Sequence, residues 1–313
     1  MEHEFYRGSA RRAEVGMRRR VQAVLGDDMP VRWSRTTIDL RHQLKGSKAA
    51  VWCLRVLDRA GVRRQVLDFL APVLFHVEAL VYRGDFEYED AQRDGGTADP
   101  QWREGIEEIL RAYEIDEPAI LGALAELDDY FLLESSIMEG RAVLDADLIQ
   151  RTCYSRCSGA TLLLRIGYRL AGIRPDERLF TLVRHLSGHD EISTDLPSYA
   201  EDLQEGLFNV YRLSTWIYGP EAAKHHLKRQ GDDMLRALRH DITHTDAATL
   251  RLFAAIIPPI VPLNPRVPSV VPRLLPRALL AELLKLRIRF HSVAKAPRFP
   301  APLADSRPIA SAA

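Results

Sequence analysis

HDEISTDLPSYAEDLQEGLFNVYRLSTWIYGPEAAKHHL (residues 189–227) begins as an acidic run and continues into two segments with apolar stripes. Its opening holds Asp190, Glu191, Asp195, Glu201 and Asp202 around Pro197. Residues four apart stack on one face of a helix. Thr194, Ser198 and Asp202 therefore form a column of two alcohol oxygens and a carboxylate. Magnesium takes hard oxygen ligands, keeps several waters and binds through few protein groups plus substrate phosphates. A column of this kind suits it. A solvated helix end with Asp and Ser capping accounts for the same residues. Pro197 lacks an N–H and clashes with the preceding turn, so the helix is expected to end or kink there.

Outward from this stretch, the chain reads as helices almost throughout. Residues 51–85 carry Leu54, Leu57, Val66, Phe69, Leu70, Val73, Val77 and Leu80 at three- and four-residue spacing. Gly61 is expected to break this segment and Gly84 to stop it. Residues 89–101 are polar and read as a loop. Helices follow over 103–115, 118–140, 145–172, 175–193, 198–219 and 220–241, with Pro118 and Pro220 in first turns. Residues 256–276 hold seven prolines, so no single helix spans them. A last helix covers 277–293. No strand alternation and no fixed-period repeat occurs. The expectation is an all-α bundle, with one domain over 1–295 and a Pro/Ala-rich tail over 296–313.

Lys+Arg and Asp+Glu are equal at 43 each in the 313 residues. The absence of a net basic field argues against a nucleic-acid binder. The cluster Arg11, Arg12, Arg18, Arg19 and Arg20 reads as a solvated helix face. Cys53, Cys153 and Cys157 lack the spacing of a disulfide framework or a zinc site, and read as buried thiols. No run of eighteen apolar residues predicts a membrane span, and the polar N-terminus carries no secretory signal. A cytoplasmic setting is the default expectation.

The stretch from Thr194 to Leu227 resembles the second metal motif and following helices of class I terpene synthases, within the isoprenoid synthase superfamily. Thr194, Asp195, Ser198 and Asp202 occupy the motif positions, and Gly206, Asn209, Gly219, Glu221 and Ala222 occupy the positions that follow. Two departures stand out: Thr194 replaces Asn or Asp, and Asp202 replaces the longer Glu. Asp190, Glu191 and Asp195 loosely resemble the Asp-rich motif of trans-prenyl diphosphate synthases. Residues 151–172 resemble the helix that carries a diphosphate-sensing basic residue, with Arg156 the first candidate and Arg151 the second. For the first metal motif, residues 75–90 match best, through Asp85 and Glu89, although Phe86 stands where a second Asp belongs. Asp128 and Asp129, with Glu134, form the rival.

The resemblance implies a helical bundle around a central cavity and a Mg²⁺-dependent enzyme acting on a prenyl diphosphate. It places metal ligands at Asp85, Glu89, Asp190, Thr194, Asp195, Ser198 and Asp202. Arg156, Arg151, Arg212, Lys224 and Arg289 are the candidate diphosphate contacts, with Asp195 and Arg156 central to catalysis. Phe75, Phe86, Phe131, Tyr154, Phe208 and Trp216 are candidate cavity aromatics. Chain-extending prenyl transfer is the alternative chemistry. Dimers are common in these families, though no sequence feature here requires one. Two other readings stand beside it. His185, His189 and Asp190, completed by Asp232 or Asp241, would form a metal phosphohydrolase site. A degenerate, non-catalytic helical partner protein is the other.

Overall fold

The computed structural model describes residues 35–94, 96, 98, 101–257, 276–294 and 299–301, with the side chains of 287 and 289–294 outside that description. The described residues are all-α, as the spacing predicts, with no strand among them. The basic cluster at 11–20, the proline-rich stretch 258–275 and most of the tail lie outside them. The chain divides into two compact units. One takes Met1–Phe131 and Ser158–Pro175, the other Leu132–Cys157 and Asp176–Ala313.

In the first unit, α1 (Leu40–Arg59) and α2 (Arg64–Asp94) form an antiparallel pair turned at Gly61, whose φ of 92° suits a residue without a side chain. Asp39 caps α1 by accepting from the His42 N–H at 2.9 Å. Gly46 lets α2 close in, since a Cβ there would lie 2.9 Å from Glu78 Cγ. α2 differs from the sequence expectation: it passes through Gly84 and runs to Asp94, absorbing part of the expected loop. The reason is packing. A Cβ on Gly84 would meet the Trp102 ring at 2.8 Å, so this glycine admits α3 (Gln101–Ala112) rather than ending a helix. The first part of α4 (Pro118–Met138) and all of α6 (Ser158–Leu170) complete the unit. Gly167 of α6 sits over Leu57, and the Cys53 thiol donates to the Leu163 carbonyl. Among the described residues only α2 has the length and composition to cross a membrane, and most of its apolar stretch is buried.

In the second unit, α5 (Leu148–Arg156), α7 (Glu177–Glu205), α8 (Val210–Tyr218), α9 (Pro220–His244), α10 (Ala247–Ile256) and α11 (Arg277–Ala294) pack together. Ile192, Leu196, Tyr199, Tyr211, Leu227 and Met234 lie in its core. The expected helix over 145–172 is two helices, α5 and α6, parted at Cys157. At Pro197, where a helix end or a kink is expected, the first alternative fails. α7 does not end there but runs through it to a left-handed stop at Gly206, φ 74°. Proline deletes one backbone bond, and tertiary contacts brace that turn. Asn209 Nδ2 donates to the Asp195 carbonyl at 2.7 Å, and Ser198 Oγ lies 3.2 Å from the same oxygen. The expected helix over 198–219 is therefore the end of α7, a short break and α8. Sequence reading missed α10, whose Asp246 cap accepts from the Ala248 and Thr249 N–H groups. Those bonds hold the Asp246 carboxyl below its ordinary range. Asp176, the cap of α7, also accepts from the Thr249 hydroxyl at 2.8 Å, which ties the two helix starts together.

The three cysteines are free and buried, and burial raises each thiol. Glu78 is the unusual core residue of the first unit. It is 5 % exposed, and its Oε2 is buried without a hydrogen-bond partner. Burial, then the nearby Asp85 charge, pushes its carboxyl up to about 8. The folded chain thus keeps a proton that the unfolded chain releases near 4.5. This site's stabilisation is complete below that lower value and is lost as pH rises through the upper one. Between pH 6 and 9 the wild-type melting temperature is expected to fall relative to Glu78→Gln, which has no proton to lose. Parallel thermal melts of the two proteins across that window check the sign.

Candidate active site on α7

The second half of α7 carries a row at positions 191, 195, 198 and 202, and Arg156 meets it from the end of α5. Arg156 Nη1 donates to Asp195 Oδ1 at 2.8 Å, and its Nε lies 3.1 Å from Glu191. Asp195 is 5 % exposed, and its second oxygen accepts the Val210 N–H at 2.9 Å. One carboxylate therefore binds a guanidinium on one side and the first turn of α8 on the other. An anion is well placed there, because the first N–H groups of a helix lack intrahelical acceptors.

Asn209 continues the network. It is the N-cap of α8 and its side-chain oxygen accepts from Tyr211 N and Arg212 N. Its amide nitrogen donates both to the Asp195 carbonyl and, at 2.8 Å, to Asp202 Oδ2. Ser198 Oγ donates to the same Asp202 oxygen at 2.7 Å. Glu191, Arg156, Asp195, Asn209, Asp202 and Ser198 are thus joined in one chain of contacts.

The structure sorts the sequence candidates. Arg156 meets Asp195, and Ser198 meets Asp202. Thr194 has its hydroxyl committed to the Asp190 and Glu191 carbonyls of its own helix, at 3.2 and 3.0 Å. Asp190 pairs with His189 at 3.4 Å. Arg151 pairs with Asp145 at 3.0 Å on an exposed surface. Arg212 is 9 % exposed, donates to the Leu207 carbonyl at 2.8 Å and lies over the Trp216 ring at 4.8 Å, so its guanidinium is built into the fold. The side chain of Arg289 lies outside the described residues. Lys224 sits over the Phe299 ring at 5.6 Å. Glu191 and Asn209 emerge as members of the network through their contacts.

The candidate first motif lies in the first unit. Asp85 and Glu89 stand one turn apart on α2, and Lys45 of α1 reaches both, at 2.7 Å and 3.7 Å. Glu87 pairs with Arg83, and Asp90 with Arg93, each at 2.7 Å. The rival Asp128 is ion-paired with Arg103. Sequence reading missed Lys45, since nothing in its local pattern points to a partner forty residues away. Phe131 is core, stacked on Tyr88 and edge-on to Trp102.

The histidine reading is partly reassembled. His185 Nε2 lies 3.0 Å from Asp241, and Tyr154 OH lies 2.8 Å from its Nδ1. His185 and Asp241 line an open hollow of about 510 Å³ with Asp233, Arg236, Ala237 and His240. His189 is turned elsewhere, toward Asp190 and Gly231. Among the described residues no group of three or more His, Cys, Asp or Glu side chains gathers closely enough to hold a metal ion. Ser198 and Asp202, one turn apart on α7, offer the oxygen donors a hard cation takes, whereas Glu191 lies about 16 Å from Asp202 along the helix axis.

Asp195→Ala removes the partner of Arg156 and leaves the buried Val210 N–H without its acceptor. The expected loss is about 1–3 kcal/mol, read as a fall of about 2–4 °C in melting temperature per kcal/mol. Ser198→Ala, which leaves Asn209 on Asp202, is expected to melt closer to wild type. Calorimetry on the two variants checks the order. Comparison with known protein families, with curated proteins and with solved structures found no match for this chain.

Proposed function

We propose that the protein is a Mg²⁺-dependent, class I terpene synthase-like enzyme that ionises a prenyl diphosphate and releases pyrophosphate. The observation that supports this reading most is the meeting of Arg156 with Asp195 and Glu191. The resemblance offers Arg156 as a diphosphate-sensing residue on an upstream helix and Asp195 as part of the second acidic motif, and the fold brings these two candidates together from separate helices. A guanidinium offers a planar fork of donors suited to a phosphate group.

Ser198 and Asp202, one turn apart, are the residues that would hold Mg²⁺, beside Asp195. The chemistry the ion supplies when bound is neutralisation of the leaving diphosphate, which favours departure from an allylic carbon. The chain's own residues do the rest. Arg156 holds a positive charge against the acidic row and is placed to take a diphosphate oxygen. Asp195 fixes that guanidinium and pins the start of α8. Asn209 keeps Asp202 and the Asp195 turn in register. Chain extension by prenyl transfer would use the same ionisation and differ in the acceptor.

A second reading, a non-catalytic helical partner protein, draws on one observation: both Asp195 oxygens already have donors within the chain. Incubation with Mg²⁺ and geranyl, farnesyl or geranylgeranyl diphosphate separates the two. Pyrophosphate release with a hydrocarbon, alcohol or longer prenyl product supports the enzyme. Arg156→Gln is expected to reduce turnover by at least about a hundredfold, as loss of a charge-stabilising donor does, and to lower the melting temperature, because the buried Asp195 loses its charged partner. Absence of both turnover and Mg²⁺-dependent diphosphate binding in the wild type overturns the enzyme reading and favours the partner protein.

A further inference from the structure

The α2 motif has a feature that the acidic pattern alone does not anticipate. Asp85 and Glu89 are one helical turn apart, and the residue beside Asp85 is Phe86, where a metal motif of this kind carries a second carboxylate. Lys45 fills the resulting gap in three ways. Its ammonium donates to Asp85 Oδ2 at 2.7 Å. It lies 3.7 Å from Oε1 of Glu89, whose Oε2 is equally far from Arg93 Nη2. It also stands over the Phe86 ring at 4.3 Å and within 5.2 Å of the Tyr82 ring. The Phe86 substitution thus removes one negative charge and supplies an aromatic face that holds a cation. Arg41 stacks on the same ring at 4.0 Å.

A divalent cation bound to Asp85 or Glu89 would sit within a few ångström of this ammonium, and the two positive charges would repel. With Lys45 in place, Asp85, Phe86 and Glu89 do not fit a metal ion. We propose that Lys45 stands where a divalent cation would otherwise bridge Asp85 and Glu89, so that α2 presents a lysine-neutralised, metal-free face. This inference rests on reading 85–90 as the diphosphate-side motif. It deepens that reading by confining the metal requirement to α7 and giving the α2 side a fixed organic cation.

The test is Mn²⁺ titration followed by electron paramagnetic resonance, without substrate, on wild type, Asp85→Asn, Lys45→Met and Lys45→Met/Asp85→Asn. Wild type and Asp85→Asn are expected to bind Mn²⁺ alike, because Asp85 is not a ligand while Lys45 is present. Lys45→Met is expected to gain a Mn²⁺ site at least about tenfold tighter than anything the wild type offers on α2. The double variant is expected to lose that site. Lys45→Arg, which keeps the charge, is expected to behave as wild type. Loss of Mn²⁺ binding in Asp85→Asn alone overturns the proposal, as does a folded Lys45→Met that gains no site. Should Lys45→Met fail to fold, the Asp85→Asn comparison decides by itself. These readouts need no turnover, so a failure of the prenyl diphosphate assay leaves them standing.

Discussion

The Asp195 carboxylate is the contact on which the second unit's architecture turns. It lies in the core, and a charge there is tolerated only when it is paired and hydrogen-bonded. Both conditions are met by groups from other helices: the Arg156 guanidinium from α5 and the Val210 N–H from α8. One side chain therefore sets the position of three helices. The same pairing makes the site's chemistry inseparable from its stability. Neither partner of this pair can be removed without disturbing the helices it anchors, so the Ser198 substitution probes function more cleanly than a change at Asp195 or Arg156.

The fold class was legible because helical spacing recurs along nearly the whole chain, and the all-α reading needed no tertiary information. The boundaries were less legible, for identifiable reasons. Gly84 carries the signature of a stop, yet it is a point of close approach for Trp102. Pro197 carries the signature of a break, yet Asn209 braces the turn from outside the local window. In both cases the deciding partner is distant in sequence. α10 was missed because its ten residues follow directly on α9, and its cap, Asp246, reads as one more polar residue in a loop.

The candidate site shows the same division. The column of Ser198 and Asp202 follows from residues four apart, and their hydroxyl–carboxylate bond realises it. The resemblance named Arg156 as a diphosphate contact and Asp195 as a metal ligand; that the two pair with each other is found in the structure alone. Thr194 belongs to the same arithmetic column but spends its hydroxyl on its own helix, as Thr commonly does when an i−4 carbonyl is within reach. Spacing specifies which residues share a face; it does not specify which acceptors compete for them. Lys45 enters through contact alone, and Glu191, named only within the Asp-rich likeness, gains its place from the contact with Arg156. Arg212 looked like a phosphate contact by type and proved to be a buried strut over Trp216.

The two acidic motifs now divide by how their charge is balanced. On α7 the balancing group is Arg156, a guanidinium 35 % exposed whose fork is shared between Asp195 and Glu191. On α2 it is Lys45, held between two carboxylates and two aromatic rings, with Arg83 and Arg93 neutralising Glu87 and Asp90 beside it. A delocalised guanidinium and a compact ammonium are not interchangeable in these roles. The first spreads its charge over a planar fork of donors, while the second concentrates its charge at a point and excludes another cation from it. Phe86 supplies α2 with an aromatic face beside Lys45, and the two acidic rows therefore differ in the cation that balances them: a guanidinium forked between carboxylates on α7 and an ammonium set against carboxylates and rings on α2.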